Sequence, residues 1–293
     1  MTSKSTILDA TNVVEAVQRI DANDITELSL FGVCIEDVAT PISNSLIKNT
    51  SLTYLNLHAG IGDDGATLIS NSLIKNTSLT YLDIAVNAIS DNGAASISNS
   101  LIKNTSLTHL DISGSDYYGR SKIGDDGAIS ISNLLTKNTS LTHLDLRYNE
   151  IGDNGATSIS NALIENTSLT HLDLRYNKIG DNGATSISNA LIKNTSLKRL
   201  DLYSNPIADG GSTSISNSLI KNTSLTYLDL RCYSIFSYTS SVATLILNSL
   251  NENTTLRFLY VFCDDIVSNL IEKQLCINQN NDACVKKRNN LLS

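Results

Sequence analysis

Residues 141–168 read LTHLDLRYNEIGDNGATSISNALIENTS, and residues 169–196 repeat that block with changes only at Glu150/Lys178 and Glu165/Lys193. A fixed period constrains a fold more than any local pattern. Each copy must build the same element and bury its apolar side against its neighbours. The first residue of the unit recurs at Ile25, Leu52, Leu79, Leu107, Leu141, Leu169, Leu197, Leu225 and Leu256, giving steps of 27, 27, 28, 34, 28, 28, 28 and 31. That makes nine units, the last one truncated.

Within a unit the apolar period changes. Leu144 and Leu146 alternate around Asp145, as in a short strand, whereas Ala156, Ile159 and Leu163 fall on one stripe of a helix. Asp153 and Gly155 lie where that helix should begin, and a carboxylate is favoured there by the cap and the dipole. Lys48, Lys75, Lys103, Lys137, Lys193 and Lys221 are expected at helix C-termini, where a cation is favoured. One strand and one helix of this size cannot bury their apolar faces alone, so the copies must stack into a solenoid with a continuous core. Ala10, Val13, Val17 and Ile20 predict a helical cap over residues 1–24. The repeat domain then covers residues 25–277, where Ile266, Leu270, Ile271 and Leu275 predict a final helix, and residues 278–293 form a polar tail.

The stretch LTHLDLRYNEI fits the pattern LxxLxLxxNxL, and by it the chain resembles the leucine-rich repeat family. The 28-residue length and the second half GATSISNALIENTSL resemble the ribonuclease-inhibitor-like subclass. The resemblance implies a right-handed α/β solenoid, a horseshoe with parallel strands on its concave face and helices on its convex face. It also implies a protein partner in the concave face. The asparagine of the motif stands at Asn87, Asn149, Asn177 and Asn205, but Val33, Gly60, Tyr233 and Asp264 replace it elsewhere, so the turns should be irregular at both ends.

Alternation along each strand should project three columns from the concave face. The first is Tyr54, Tyr81, His109, His143, His171, Arg199, Tyr227 and Phe258. The second is Asn56, Asp83, Asp111, Asp145, Asp173, Asp201, Asp229 and Tyr260, and the third His58, Ala85, Ser113, Arg147, Arg175, Tyr203, Arg231 and Phe262. Six aspartates in line should raise some of their pKa values by mutual repulsion, with histidines and arginines offsetting it. The same line could steer a basic partner. His109, His143 and His171 could converge on a metal only if their rotamers did, so no metal or cofactor is expected. The strand half of the unit varies from copy to copy while the helical half hardly changes, which favours a diversified binding surface. Two insertions, around 115–122 and 232–239, place Tyr117, Tyr118, Arg120 and Tyr233 on strand-to-helix loops, and aromatic and arginine side chains are enriched at binding hot spots. With Tyr148 and Tyr176, these loops and the columns make up the expected partner-binding surface.

The formal net charge of −8 makes a nonspecific nucleic-acid binder a poor expectation, and no apolar run reaches bilayer length. No secretory leader is legible in the first twenty residues. The five scattered cysteines fit a reducing compartment, so a cytoplasmic monomer is expected. Eight Asn-Thr-Ser/Thr triplets, starting at Asn49, Asn76, Asn104, Asn138, Asn166, Asn194, Asn222 and Asn253, are formally glycosylation acceptors but belong to the repeat. No phosphate loop, dinucleotide turn, HExxH helix or GxSxG elbow occurs. The expected function is noncatalytic protein recognition through the concave face and the loop rim. The alternative, implied by the subclass, is activation of a small GTPase.

Overall fold

The computed structural model describes residues 6–7, 13–31, 38–116, 122–231, 239–261 and 265–278. Two compact units divide the chain, Met1–Glu150 and Ile151–Ser293. The first runs β1 (Thr6–Ile7), α1 (Val13–Asp21), β2 (Glu27–Phe31), α2 (Ala39–Leu46), β3 (Tyr54–His58), α3 (Gly62–Leu73), β4 (Tyr81–Asp83), α4 (Asp91–Leu101), β5 (His109–Asp111), α5 (Asp125–Lys137) and β6 (His143–Asp145). The second runs α6 (Asp153–Glu165), β7 (His171–Asp173), α7 (Asp181–Lys193), β8 (Arg199–Asp201), α8 (Asp209–Leu219), β9 (Tyr227–Asp229), α9 (Ser240–Glu252), β10 (Phe258–Tyr260) and α10 (Asp265–Asn278). Within each unit every strand pairs in parallel with the next in chain order. Parallel pairing follows from the connections, since a helix between two strands returns the chain to the same end. This is the α/β solenoid architecture that the repeat implied.

The apolar positions of the repeat are its core. In one copy Leu169, Leu172, Leu174, Ile179, Ala184, Ile187 and Leu191 are each no more than 2% exposed. Burying one leucine or isoleucine stabilises by roughly 1.5–3 kcal/mol, so each copy supplies a full layer. The buried stripe of α1 is Val13, Ala16 and Ile20, with Val17 only half-buried. In α10 Ile271, Leu275 and Cys276 are buried while Leu270 is 42% exposed, against the expectation that Leu270 faced the core. Strand β1 was not anticipated inside the helical cap; it pairs Thr6 with Leu28 and Ile7 with Ser29. Cys276 is disulfide-bonded, which the reading of the scattered cysteines as fitting a reducing compartment did not anticipate.

Asparagines tie each copy to the one before it. Asn194 Nδ2 donates to the carbonyls of Leu163 and Asn166, at 2.7 and 3.0 Å, and its Oδ1 accepts from the amides of Ser196 and Leu197. Asn49, Asn76, Asn104 and Asn222 act in the same way. These are the asparagines of the Asn-Thr-Ser triplets, and each is no more than 5% exposed. The triplet therefore recurs because its asparagine is buried and its amide is fully used. A second ladder uses the motif asparagines. Asn205 Nδ2 donates to Leu174 and Leu202 carbonyls, and its Oδ1 accepts from the Ile179 amide at 3.0 Å.

The aspartates at the helix starts work one copy further along than the sequence implied. Asp153 Oδ1 accepts from the amides of Gly180 and Gly183, at 2.7 and 2.9 Å, and so caps α7 rather than its own helix. Asp181 caps α8 through Ala208 and Gly211, and Asp91 caps α5 through Gly124 and Gly127. The lysines fit unevenly: Lys137 and Lys193 lie in last turns, but α2, α3, α4 and α8 end two residues before Lys48, Lys75, Lys103 and Lys221.

Candidate functional site

The short strands leave one side-chain column per outward position. In the first unit the register aligns Tyr54, Tyr81, His109 and His143, and beside them Asn56, Asp83, Asp111 and Asp145. Parallel neighbours are about 4.8 Å apart, close enough for ring contact, and the four rings stack. Centroid separations are 4.5 Å for Tyr54–Tyr81, 5.4 Å for Tyr81–His109 and 3.9 Å for His109–His143, with interplanar angles of 21°, 23° and 17°. Thr108 and Thr142, which the sequence reading did not single out, hold the imidazoles: each Oγ1 lies 2.8 Å from the Nδ1 of the histidine that follows it. The Thr-His dipeptide was the available signal.

Beneath the rings the acidic row is paired from the sides. Asp83 meets His58 Nε2 at 3.0 Å and Asn56 Nδ2 at 3.1 Å. Arg147 spans two carboxylates, with Nη2 at 3.3 Å from Asp111 and Nε at 3.0 Å from Asp145. Burial, more than the neighbouring Asp83, raises the Asp111 pKa, so desolvation and not repulsion along the row leads the shift. Burial and the nearby carboxylates push the Tyr81 hydroxyl up to about 12, and burial lowers His109.

The second unit carries arginines in the same places. Its register aligns His171, Arg199, Tyr227 and Phe258, and beside them Asp173, Asp201, Asp229 and Tyr260. The Arg199 guanidinium lies 3.4 Å from the Tyr227 ring centroid, and Arg231 lies 4.8 Å from Tyr203 and 5.1 Å from Tyr260. Each arginine is also held by a carboxylate: Arg175 by Asp173, Arg199 by Asp201 and Arg231 by Asp229. Desolvation, then Asp173, pushes Asp201 up to about 6 despite its arginine partners. His171 has the same threonine contact as the other two, Thr170 Oγ1 to Nδ1 at 2.8 Å. It belongs to the second unit, so the expected column of three histidines is divided between units.

At the turn after the strand, Tyr148 and Tyr176 take positive φ of 56° and 54°, and Tyr176 meets Tyr203 edge to face at 5.1 Å. The expected loop residues Tyr117, Tyr118, Arg120 and Tyr233 lie outside the described residues. Among the described residues no group of three or more metal-ligating side chains gathers, and no helix is long and apolar enough to cross a membrane.

The family described as "Leucine Rich repeat" matches at residues 48–70, 75–98, 103–116, 137–160, 165–188 and 193–216. These matches fall on six of the repeats and are those of a leucine-rich repeat protein, and the 28-residue copies are consistent with the ribonuclease-inhibitor-like type. Among solved structures the chain is similar to leiomodin-1 actin-binding site 2, at 18% identity over 69% of this chain and 96% of that one, with a TM-score of 0.42. It is also similar to the tropomodulin C-terminal domain of Caenorhabditis elegans, at 16% identity over 53% of this chain and 95% of that one, with a TM-score of 0.46. No curated protein matches the sequence.

Proposed function

We propose that the protein is a noncatalytic scaffold that binds a protein partner through its exposed strand faces and the turns that follow the strands. The observation that carries this reading is the set of arginines fixed against aromatic rings in the second unit: Arg199 on Tyr227, and Arg231 on Tyr203 and Tyr260. A side chain already ordered by a carboxylate and a ring loses little further freedom when a partner lands on it, and tyrosine and arginine dominate interface energetics. The GTPase-activating alternative has no supporting observation of its own.

The test is affinity capture from a native lysate with wild type and with Arg199→Ala/Tyr203→Ala/Tyr227→Ala, the two first matched for melting temperature. The captured protein is then purified and its affinity for each form measured. Loss of tenfold or more in the variant is expected. Equal affinity would overturn the strand-face assignment.

A further inference from the structure

The turns that lead from each helix of the first unit into the next strand carry charge of one sign. Residues 44–53, 71–80 and 99–108 all read NSLIKNTSLT, and residues 133–142 read NLLTKNTSLT. Each block holds one lysine and no carboxylate. Lys48, Lys75, Lys103 and Lys137 are all exposed, and none of the four is ion-paired among the described residues. The helices that precede them, α2, α3, α4 and α5, pack side by side. With axes about 8–10 Å apart, the four ammonium groups form a row of roughly 25–30 Å.

Beside the lysines stand isoleucines that folding leaves uncovered. Ile47 and Ile74 are 38% and 49% exposed, and Ile102 is half-buried. At the other end of the helices the charge is opposite, with Asp63, Asp64, Asp91, Asp125 and Asp126 in the first turns of α3, α4 and α5. On the lysine side Asp21 and Asp24 precede the row, and Arg19 pairs with Asp24 at 3.3 Å. Helix geometry alone does not require such a row. A cation is favoured at a helix C-terminus, yet α6 and α9 end on Glu165 and Glu252. The block at 133–142 differs from the others at Leu134 and Thr136 and still keeps Lys137.

Composition decides between partners. Lysine is depleted at protein interfaces while tyrosine, tryptophan and arginine are enriched, and the four blocks contain none of those three. The strand faces have the opposite make-up. Lysines interleaved with aliphatic side chains suit an anionic bilayer, where ammonium groups meet headgroup charges and apolar side chains enter the boundary beneath them. Lipids also diffuse, so they can gather under each lysine without a matching spacing of their own.

We infer that the helix-to-strand rim of the first unit docks on anionic lipid bilayers, with Lys48, Lys75, Lys103 and Lys137 on the headgroups and Ile47, Ile74 and Ile102 at the acyl boundary. The docking is peripheral. The net charge of −8 does not cancel it, because charges more than about 8–10 Å away are largely screened at physiological salt. The rim is distinct from the strand faces, so this inference and the scaffold reading fail independently.

The test is flotation of the full chain with vesicles of phosphatidylcholine alone and of an equimolar mixture with phosphatidylserine. Binding to the mixed vesicles only is expected, and no binding to them overturns the inference. Each lysine near such a surface contributes about fivefold in affinity, so Lys75→Gln/Lys103→Gln should weaken binding at least tenfold at unchanged melting temperature. Lys122→Gln/Lys273→Gln removes the same charge away from the rim and should leave binding nearly unchanged. An equal loss in both pairs would overturn the inference, because total charge and not the rim would then govern binding. Ile74→Ser should also weaken binding, and indifference to it would overturn the placement of the isoleucines in the bilayer. Polyglutamate is the probe for an acidic protein. Binding of polyglutamate that is lost in Lys75→Gln/Lys103→Gln, with no binding of vesicles, would assign the rim to such a protein and overturn the lipid reading.

Discussion

Asp153 and Gly183, thirty positions apart, are a matched pair: the carboxylate of one repeat reaches the helix start of the next only because the residue there has no side chain. A Cβ on Gly183 would lie 2.8 Å from Asp153 Oδ1, 2.8 Å from Ile179 Cγ2 and 3.1 Å from Ala156 Cβ. Gly183→Ala should therefore destabilise the fold by about 2 kcal/mol, although alanine is the better helix former. Asp153→Ala should cost about 1 kcal/mol through loss of the cap. Urea unfolding of both single variants and the double variant should show a double-mutant sum smaller than its parts, because the alanine methyl no longer meets a carboxylate.

The buried Asn-Thr-Ser asparagines predict a second outcome. Asn194→Ala removes the bonds its amide makes to the Leu163 and Asn166 carbonyls and to the Ser196 and Leu197 amides, a loss on the order of 3 kcal/mol. Asn194→Asp should be nearly as damaging, since a carboxylate cannot donate to the two carbonyls. Thermal melts check both. A variant as stable as wild type would show that the ladder contributes little.

How much of this was legible follows from what repetition can and cannot encode. Strand and helix positions could be read because Leu144, Leu146, Ile159 and Leu163 recur at a strand period and then a helix period. The columns could be read because a strand alternates, and the register places Tyr81 beside His109 and Asp83 beside Asp111. The partners of polar side chains could not. Asp153 beside Gly155 looks like a local cap, and only stacking shows that its carboxylate serves Gly180 and Gly183. Thr108, whose hydroxyl lies against the His109 ring, also reaches the Thr80 carbonyl of the preceding repeat, a contact no local spacing reveals.

The turn before the motif asparagine carries strain. Val86 has φ of 59°, a left-handed conformation that a β-branched residue rarely adopts, and Tyr148, Tyr176 and Ser204 share it at the same place in their copies. Val86→Gly should stabilise the protein by about 1 kcal/mol, because the relieved strain exceeds the extra chain entropy glycine loses on folding. Differential scanning calorimetry measures the effect. A lower melting temperature would mean that packing of the half-exposed valine outweighs the strain.

Asp201 makes stability depend on pH. Its folded-state pKa of about 6 stands above the ordinary 3.8, so the folded protein holds this proton more tightly than the unfolded chain does. Its contribution is fully present below pH 3.8 and is lost as pH rises through 6. Asp201→Asn should thus raise stability at pH 7 by on the order of 2 kcal/mol while changing it little near pH 4. Chemical denaturation at the two values tests this. An equal effect at both would show that the carboxylate titrates normally.

The carboxylate that caps a helix reaches forward to the next copy and the asparagine that binds carbonyls reaches back to the previous one, each by about one copy. The chain is therefore written in whole steps. Adding or removing one complete block of 28 residues, such as 169–196, returns every donor to an equivalent acceptor. Shifting the count by half a block would strand a buried asparagine and an uncapped helix together. Length in such a molecule is a discrete quantity, and so is the extent of the surface it can offer.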